Sequence, residues 1–156
     1  MNGSESTLNY TLNEGIHGPV IATFVGVEFI LSLAINLFIV LHTCIDENGR
    51  KSSKKSSTIF LFGLALSNLM MAVLYMPFVI IASGAEEWIF GSTDESRNVL
   101  CQIHGFIFAY ATSTAIHTIA AISFDRFLFI VKPHLHRRFM TWKMSLSILV
   151  FIWVSI

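Results

Sequence analysis

The chain has 156 residues, of which 54% are hydrophobic and only 13% are charged, and its mean hydropathy is +0.67. A soluble domain carries roughly 25% charged residues, and a domain this small keeps too much surface to hide so many apolar side chains from water. Ten basic residues balance ten acidic ones, which leaves no basic field for nucleic acid, and two cysteines are too few for a disulfide scaffold or a cysteine-built zinc site. The composition predicts a membrane protein.

Four apolar stretches follow one another along the chain, at 20–41, 57–83, 99–124 and 144–156. The first three each exceed the roughly 18 apolar residues that mark a membrane-spanning helix. The fourth is shorter than the roughly 20 residues that a span needs, so we expect the sequence to stop inside a fourth helix. The pattern predicts an all-α membrane protein.

The placement of charge predicts the orientation of these spans. All but one of the ten basic residues lie between the first two spans or from the end of the third onward, and the exception is Arg97. Because basic loops stay cytoplasmic, we expect a multi-pass plasma-membrane protein with its N-terminus outside. Glycosylation sequons at Asn2 and Asn9 agree, because such sites are used only on an extracellular or luminal tail. The predicted order is an extracellular glycosylated tail (1–19), a first span (20–41), a cytoplasmic loop (42–56), a second span (57–83), an extracellular loop (84–98), a third span (99–127), a second cytoplasmic loop (128–142) and the truncated fourth span (143–156).

Glu28 is the one acidic residue inside the first three apolar stretches. Acids within a membrane are costly and often functional. Glu28 precedes Asn36 by about two helical turns, so both residues occupy a similar face of the first helix. Two interpretations stay open, namely contact with a ligand or a water-filled cavity, and a protonated side chain that is hydrogen-bonded within the bundle.

The third stretch ends in a charged pair, Asp125 and Arg126, followed by Phe127. A helix from Cys101 to Arg126 would be about 37 Å long at 1.5 Å per residue, which is enough to cross a bilayer. Taken alone, Arg126 is explained equally well as an anchor that snorkels to the membrane surface and as a functional partner of Asp125.

Short motifs stand in a fixed order along the four stretches. They are LAINL around Asn36, LALSN ending at Asn68, MPF around Pro77, WIFG at 88–91, Cys101, DRF at 125–127 and Trp153. With these motifs the whole chain from the first stretch to the fourth resembles the rhodopsin-like (class A) G-protein-coupled receptors. The resemblance implies the first four helices of a seven-transmembrane bundle. It also implies a receptor, not an enzyme, that passes a signal from an extracellular ligand to a heterotrimeric G protein without needing a cofactor.

The resemblance further implies roles for individual residues. Asp125 would hold Arg126 at rest, Arg126 would meet the G protein on activation, and Cys101 would form a disulfide with an outer-loop cysteine. Pro77 removes one helical hydrogen bond, and we therefore expect a kink in the second helix. The implied coupling residues are Asp125, Arg126, Phe127, Pro133, His134 and Leu135. The candidate pocket residues are Pro77, His104, Phe108, Ala109 and Thr112, and the residues expected to stabilise the bundle are Asn36, Asn68 and Trp153.

The chain also departs from the family pattern. Asn68 and Ala115 replace the aspartate and serine that bind sodium in the family. An amide and a methyl group cannot hold a sodium ion as a carboxylate and a hydroxyl can. Phe108 stands where amine receptors carry the aspartate that pairs with their ligand, so we expect the ligand not to be a biogenic amine. His134 stands where the family usually presents an apolar residue to the G protein, with Leu135 next in line.

Two alternatives to an ordinary signalling receptor stay open. One is an opsin, in which His104 would take the place of a carboxylate or tyrosine and retinal would be bound by a lysine on a seventh span. The other is a truncated relative that dimerises without signalling. We expect no metal site, since His104 and His117 are nearly four helical turns apart, too far to chelate one ion.

Overall fold

A computed structural model describes residues 11, 15, 17–45 and 52–156, with the backbone alone for 52–56. The sequons at Asn2 and Asn9 lie outside the described residues. The described chain is a bundle of helices, which confirms the predicted all-α fold. The six helices are α1 (Gly18–Ile45), α2 (Ser52–Leu74), α3 (Met76–Ala85), α4 (Asp94–Val131), α5 (Pro133–Phe139) and α6 (Trp142–Ser155).

Three helical stretches are long and apolar enough to cross a bilayer, and α6 is a shorter apolar helix. The three are Gly18–Ile45, Ser57–Ala85, which joins α2 and α3, and Asp94–Val131. At 38 residues α4 would be about 57 Å long, well beyond the roughly 30 Å of a hydrocarbon core. Its ends therefore extend past the apolar layer, where they can position polar side chains.

The second predicted span is interrupted at Tyr75, between α2 and α3. Pro77 lies in the first turn of α3. Proline has no backbone N–H to continue the hydrogen-bond ladder, and its ring crowds the preceding turn. The helix is thus interrupted where the sequence led us to expect a kink.

Polar caps fix where α4 and α6 begin. Thr93 and Ser96 form a reciprocal capping box at the start of α4, and Asp94 and Glu95 place negative charge at its N-terminus. The Thr141 side chain accepts a hydrogen bond from the backbone of Met144 at the start of α6. These local contacts set the register in which both helices enter the bundle.

The packed centre of the bundle lies along α2, which contacts α1, α4 and α6. Small and hydroxyl-bearing residues are buried there, and Ser67 Oγ donates to the Ala111 carbonyl of α4 at 2.9 Å. Small residues let helix backbones approach closely in lipid, where a hydroxyl also needs a partner within the protein. Large apolar side chains such as Phe24, Ile130 and Val154 point outward instead.

The short helix α5 is the element that the sequence did not predict, because the segment 128–142 was expected only to be a loop. Pro133 begins it, and proline is favoured in the first turn of a helix because its missing N–H would have no partner there. The helix turns the chain from the end of α4 back toward the start of α6.

Candidate functional site

Asp125 and His136 form a buried pair where α4 meets α5. His136 Nε2 lies 3.0 Å from Asp125 Oδ1, so the imidazole N–H donates to the carboxylate. The residues are each only 2% exposed. The ring of Phe129 packs edge-on against the imidazole, with 5.3 Å between centroids. Because His136 is the residue of α5 that points inward, this contact fixes α5 against α4.

Arg126 points the other way, because adjacent residues on a helix are about 100° apart around its axis. Its side chain is exposed, and Nη2 donates to Ser57 Oγ of α2 at 3.0 Å. The resemblance implied that Asp125 holds Arg126 at rest. The structure gives Asp125 a buried partner in His136 and gives Arg126 a half-buried partner in Ser57.

The remaining predicted coupling residues lie at the same end of the bundle, and their side chains are exposed. Phe127 follows Arg126 on α4, and Pro133, His134 and Leu135 form the first turn of α5. The His136 contact therefore leaves His134 and Leu135 outward, next to the end of α4 that carries Arg126. These residues expose one guanidinium, the imidazole of His134 and three apolar side chains at this end of the bundle.

At the opposite end, His104 lies within a cluster of aromatic rings. Its ring stacks on Tyr75 at 4.3 Å between centroids and contacts Phe78 at 5.4 Å and Trp88 at 5.3 Å. His104 Nε2 lies 3.1 Å from the Tyr75 carbonyl, which can only accept, so this nitrogen carries the proton. In the neutral ring Nδ1 is then a hydrogen-bond acceptor, and the buried Trp88 Nε1 in the same cluster is a donor without a partner among the described residues.

We call the rings of Tyr75, Phe78, Trp88 and His104 the outer cluster, because the sequence predicts that this end of the bundle faces outside. Tyr75 lies at the break between α2 and α3. The ring of Phe108, one turn beyond His104 on α4, lies 4.9 Å from that of Tyr75 and is partly exposed. Further along α4, Ala109 is exposed and Thr112 is half-buried. The structure thus brings His104 and Phe108 together through Tyr75.

Between the two ends, Asn36 and Asn68 bond to each other across α1 and α2. Asn68 Nδ2 donates to Asn36 Oδ1 at 3.1 Å, and Asn36 Nδ2 donates to the Ser32 carbonyl at 2.8 Å. A cleft of about 750 Å³ beside them is lined mainly by apolar residues and also by Glu28. Both amide nitrogens and Asn36 Oδ1 therefore have hydrogen-bond partners within the bundle, as polar groups in a membrane require.

Trp153 and the cysteines complete the set of predicted residues. Tyr110 Oη donates to the Trp153 carbonyl at 2.7 Å, and the two rings meet edge to face, which joins α4 to α6. Cys44 and Cys101 are both exposed free thiols. The disulfide expected at Cys101 needs a cysteine outside this chain and stays a prediction.

Sequence reasoning missed His136, Ser57 and Tyr75 as partners of the residues it selected. A signal for His136 was available, since a helix that begins at Pro133 carries His134 and His136 on different faces. Ser57 and Tyr75 gave no such signal, because their contacts depend on how α2 lies beside α4.

Comparison with known proteins gives a consistent result. A family model described as 7 transmembrane receptor (rhodopsin family) matches residues 35–156. The chain is 30% identical to human G-protein coupled receptor 161 over 94% of its own length and 26% of that protein. It is 29% identical to octopamine receptor beta-2R of Chilo suppressalis, over 99% of the chain and 41% of that receptor. It is 32% identical to the GQ-coupled rhodopsin of Mizuhopecten yessoensis, over 86% of the chain and 25% of that protein. The chain thus spans well under half the length of each of these curated relatives.

Proposed function

Because the chain belongs to the rhodopsin family of seven-transmembrane receptors, we propose that it contributes to a receptor that activates heterotrimeric G proteins in response to an extracellular ligand. The proposal concerns the complete protein, since the chain spans only part of its relatives. In this proposal the end of the bundle with Arg126 faces the cytosol of the plasma membrane, and the end with His104 faces outside. The excess of basic residues at the Arg126 end supports this orientation.

The observation that carries the proposal is the arrangement of Arg126. Near the end of α4, the exposed guanidinium makes one hydrogen bond among the described residues, to the Ser57 hydroxyl of α2. Such a bond contributes little, about 0.5–3 kcal/mol, so a partner that offers carbonyl or carboxylate oxygens can replace it. We propose that Arg126 leaves Ser57 when the G protein binds, while Asp125 and His136 keep α5 in place beside it.

The outer cluster is the proposed ligand site. Pro77, His104, Phe108, Ala109 and Thr112 remain its candidate residues, and the aromatic rings favour a ligand with an apolar body and a hydrogen-bond donor. Phe108 offers no counter-charge, which argues against a biogenic amine at this helix. The names of two of the relatives refer to octopamine and to rhodopsin, and they therefore select no ligand class.

The proposal can be tested without an agonist by measuring basal guanine-nucleotide exchange in membranes from cells that express the complete protein. Arg126→Ala should reduce this exchange toward the level of untransfected cells. Ser57→Ala should raise it, because it releases Arg126 while leaving the guanidinium in place. Arg97→Ala removes an arginine at the opposite end, where it pairs with Glu87, and serves as the matched control.

All variants are compared at equal surface expression. Wild-type membranes that catalyse no exchange above background would contradict the proposed function. Exchange that is unchanged by Arg126→Ala, but lowered by the Arg97 control, would place the coupling surface elsewhere.

A further inference from the structure

The segment that joins α4 to α6 carries an unusual concentration of positive charge. After Asp125 the sequence contains no acidic residue as far as Ile156, yet it contains five basic ones. Four of these, Lys132, Arg137, Arg138 and Lys143, lie within or beside α5 and are exposed. We call this group of four the basic corner. The proposed coupling mechanism uses none of these cations.

The fold determines which side of α5 faces outward. His136 and Met140 are buried against the bundle, which leaves Arg137 and Arg138 outside. The ion pairs between described residues are Arg97–Glu87 and Asp125–His136, and they include no member of the basic corner. These cations are therefore free, within the part of the chain that the structure describes, to bind an external anion.

Exposed aromatic side chains lie among the cations. Phe139 is 54% exposed and Trp142 is 43% exposed. The Arg138 guanidinium carbon lies 5.7 Å from the Phe139 ring centroid, and Lys143 Nζ lies 5.8 Å from that of Trp142. Aromatic rings with basic neighbours are typical of the interface between lipid tails and headgroups, where the ring anchors and the cation reaches the polar layer.

The position along the helices agrees with that depth. Trp142 is the first residue of α6, which continues as an apolar helix to Ser155, so the basic corner lies where the apolar layer ends. We propose that the basic corner binds the headgroups of acidic phospholipids and so enriches them around α5. Opposite charge, aromatic anchors and membrane depth all favour a lipid as the partner. A soluble protein would not require the aromatic anchors at this depth.

Trp142 allows the proposal to be tested directly. The chain is reconstituted in nanodiscs of 80% phosphatidylcholine and 20% phosphatidylserine. In one sample the phosphatidylserine is brominated, and in the other an equal amount of phosphatidylcholine is brominated instead. Bromine quenches tryptophan fluorescence only at close range. The other two tryptophans, Trp88 and Trp153, are replaced by phenylalanine throughout, so that the signal comes from Trp142 alone.

Brominated phosphatidylserine should quench Trp142 more strongly than brominated phosphatidylcholine. The local concentration of phosphatidylserine should exceed its bulk value by about fivefold for each cation that binds its headgroup. The preference should decline as sodium chloride is raised, because salt screens exposed charges. The triple variant Arg137→Gln, Arg138→Gln and Lys143→Gln should lose the preference. Arg97→Gln, which removes a cation at the other end of α4, should keep it, and circular dichroism establishes that each variant is equally helical.

Equal quenching by both lipids in the parent protein would overturn the proposal, as would a preference that survives in the triple variant. The proposal would also be overturned if the parent protein showed no lipid preference while the triple substitution lowered nucleotide exchange in the complete protein. That result would identify the basic corner as a protein-docking surface. The experiment requires no G protein, so its result does not depend on the proposed receptor function.

Discussion

Replacing His136 with alanine should loosen the attachment of α5 to α4. The substitution removes the imidazole that donates to Asp125 Oδ1 and leaves space beside Phe129 where the ring packed. The backbone of α5 can still form its own hydrogen bonds. With only seven residues, however, it is too short to be stable in water without tertiary contacts.

The expected loss follows from burial. A hydrogen bond to a charged group contributes about 1.5–3 kcal/mol to stability, and both residues here are almost fully removed from solvent. Since about 1.4 kcal/mol is a factor of ten in an equilibrium constant, local opening of α5 should become roughly ten- to a hundredfold more frequent. The lost packing of the imidazole ring adds to this effect.

Hydrogen–deuterium exchange of the reconstituted chain measures this opening. The amide of Met140, which donates to the His136 carbonyl, should exchange faster in His136→Ala, while amides in the middle of α4 should not change. His134→Ala is the matched control, since His134 is exposed on the same helix. It should leave the exchange of α5 nearly unchanged.

A double-mutant cycle with Asp125→Ala isolates the pair from the effects of either residue alone. The coupling free energy should be at least about 1 kcal/mol. The double variant should therefore lower the free energy of opening of α5 by less than the sum of the two single variants. If the effects simply add, or if His134→Ala loosens α5 as much as His136→Ala, the buried pair is not what fixes α5.

Three further predictions concern the bundle. Gly18→Ala should lower the thermal stability of the reconstituted chain, because the added methyl group would meet a backbone carbonyl of α3, whereas Gly26→Ala has open space and should raise it slightly. Asn68→Leu should weaken the contact of α1 with α2 by about 0.6–1.7 kcal/mol, because the hydrogen bond to Asn36 is lost. Unfolding of the reconstituted chain in mixed detergent measures this loss, and an unchanged unfolding midpoint would contradict the prediction. The resemblance implies that Asn68 and Ala115 stand where the family carries sodium ligands. The binding of an agonist to the complete protein should therefore fall no further in sodium chloride than in potassium chloride of equal ionic strength.

Much of this fold could be predicted from local sequence. A helix that crosses a bilayer must satisfy its own backbone and present apolar side chains over about 20 residues, and each such stretch is visible without knowledge of its neighbours. The break beside Pro77 is equally local, because it follows from one missing N–H group. The motifs around Asn36 and Asp125 identified the family for the same reason, since short sequences carried the resemblance.

Only the tertiary structure decided which side chains meet. Asp125 pairs with His136 because an unpredicted turn of helix brings the chain back onto α4, and Arg126 reaches Ser57 because α2 begins beside the end of α4. Helical periodicity states which residues share a face, but not which neighbouring helix that face meets, at what depth or at what tilt. A shift of one residue along either helix would turn each side chain by about 100° and give it another partner. The partners of the functional residues are therefore a property of the packed bundle, while the spans themselves are a property of the sequence.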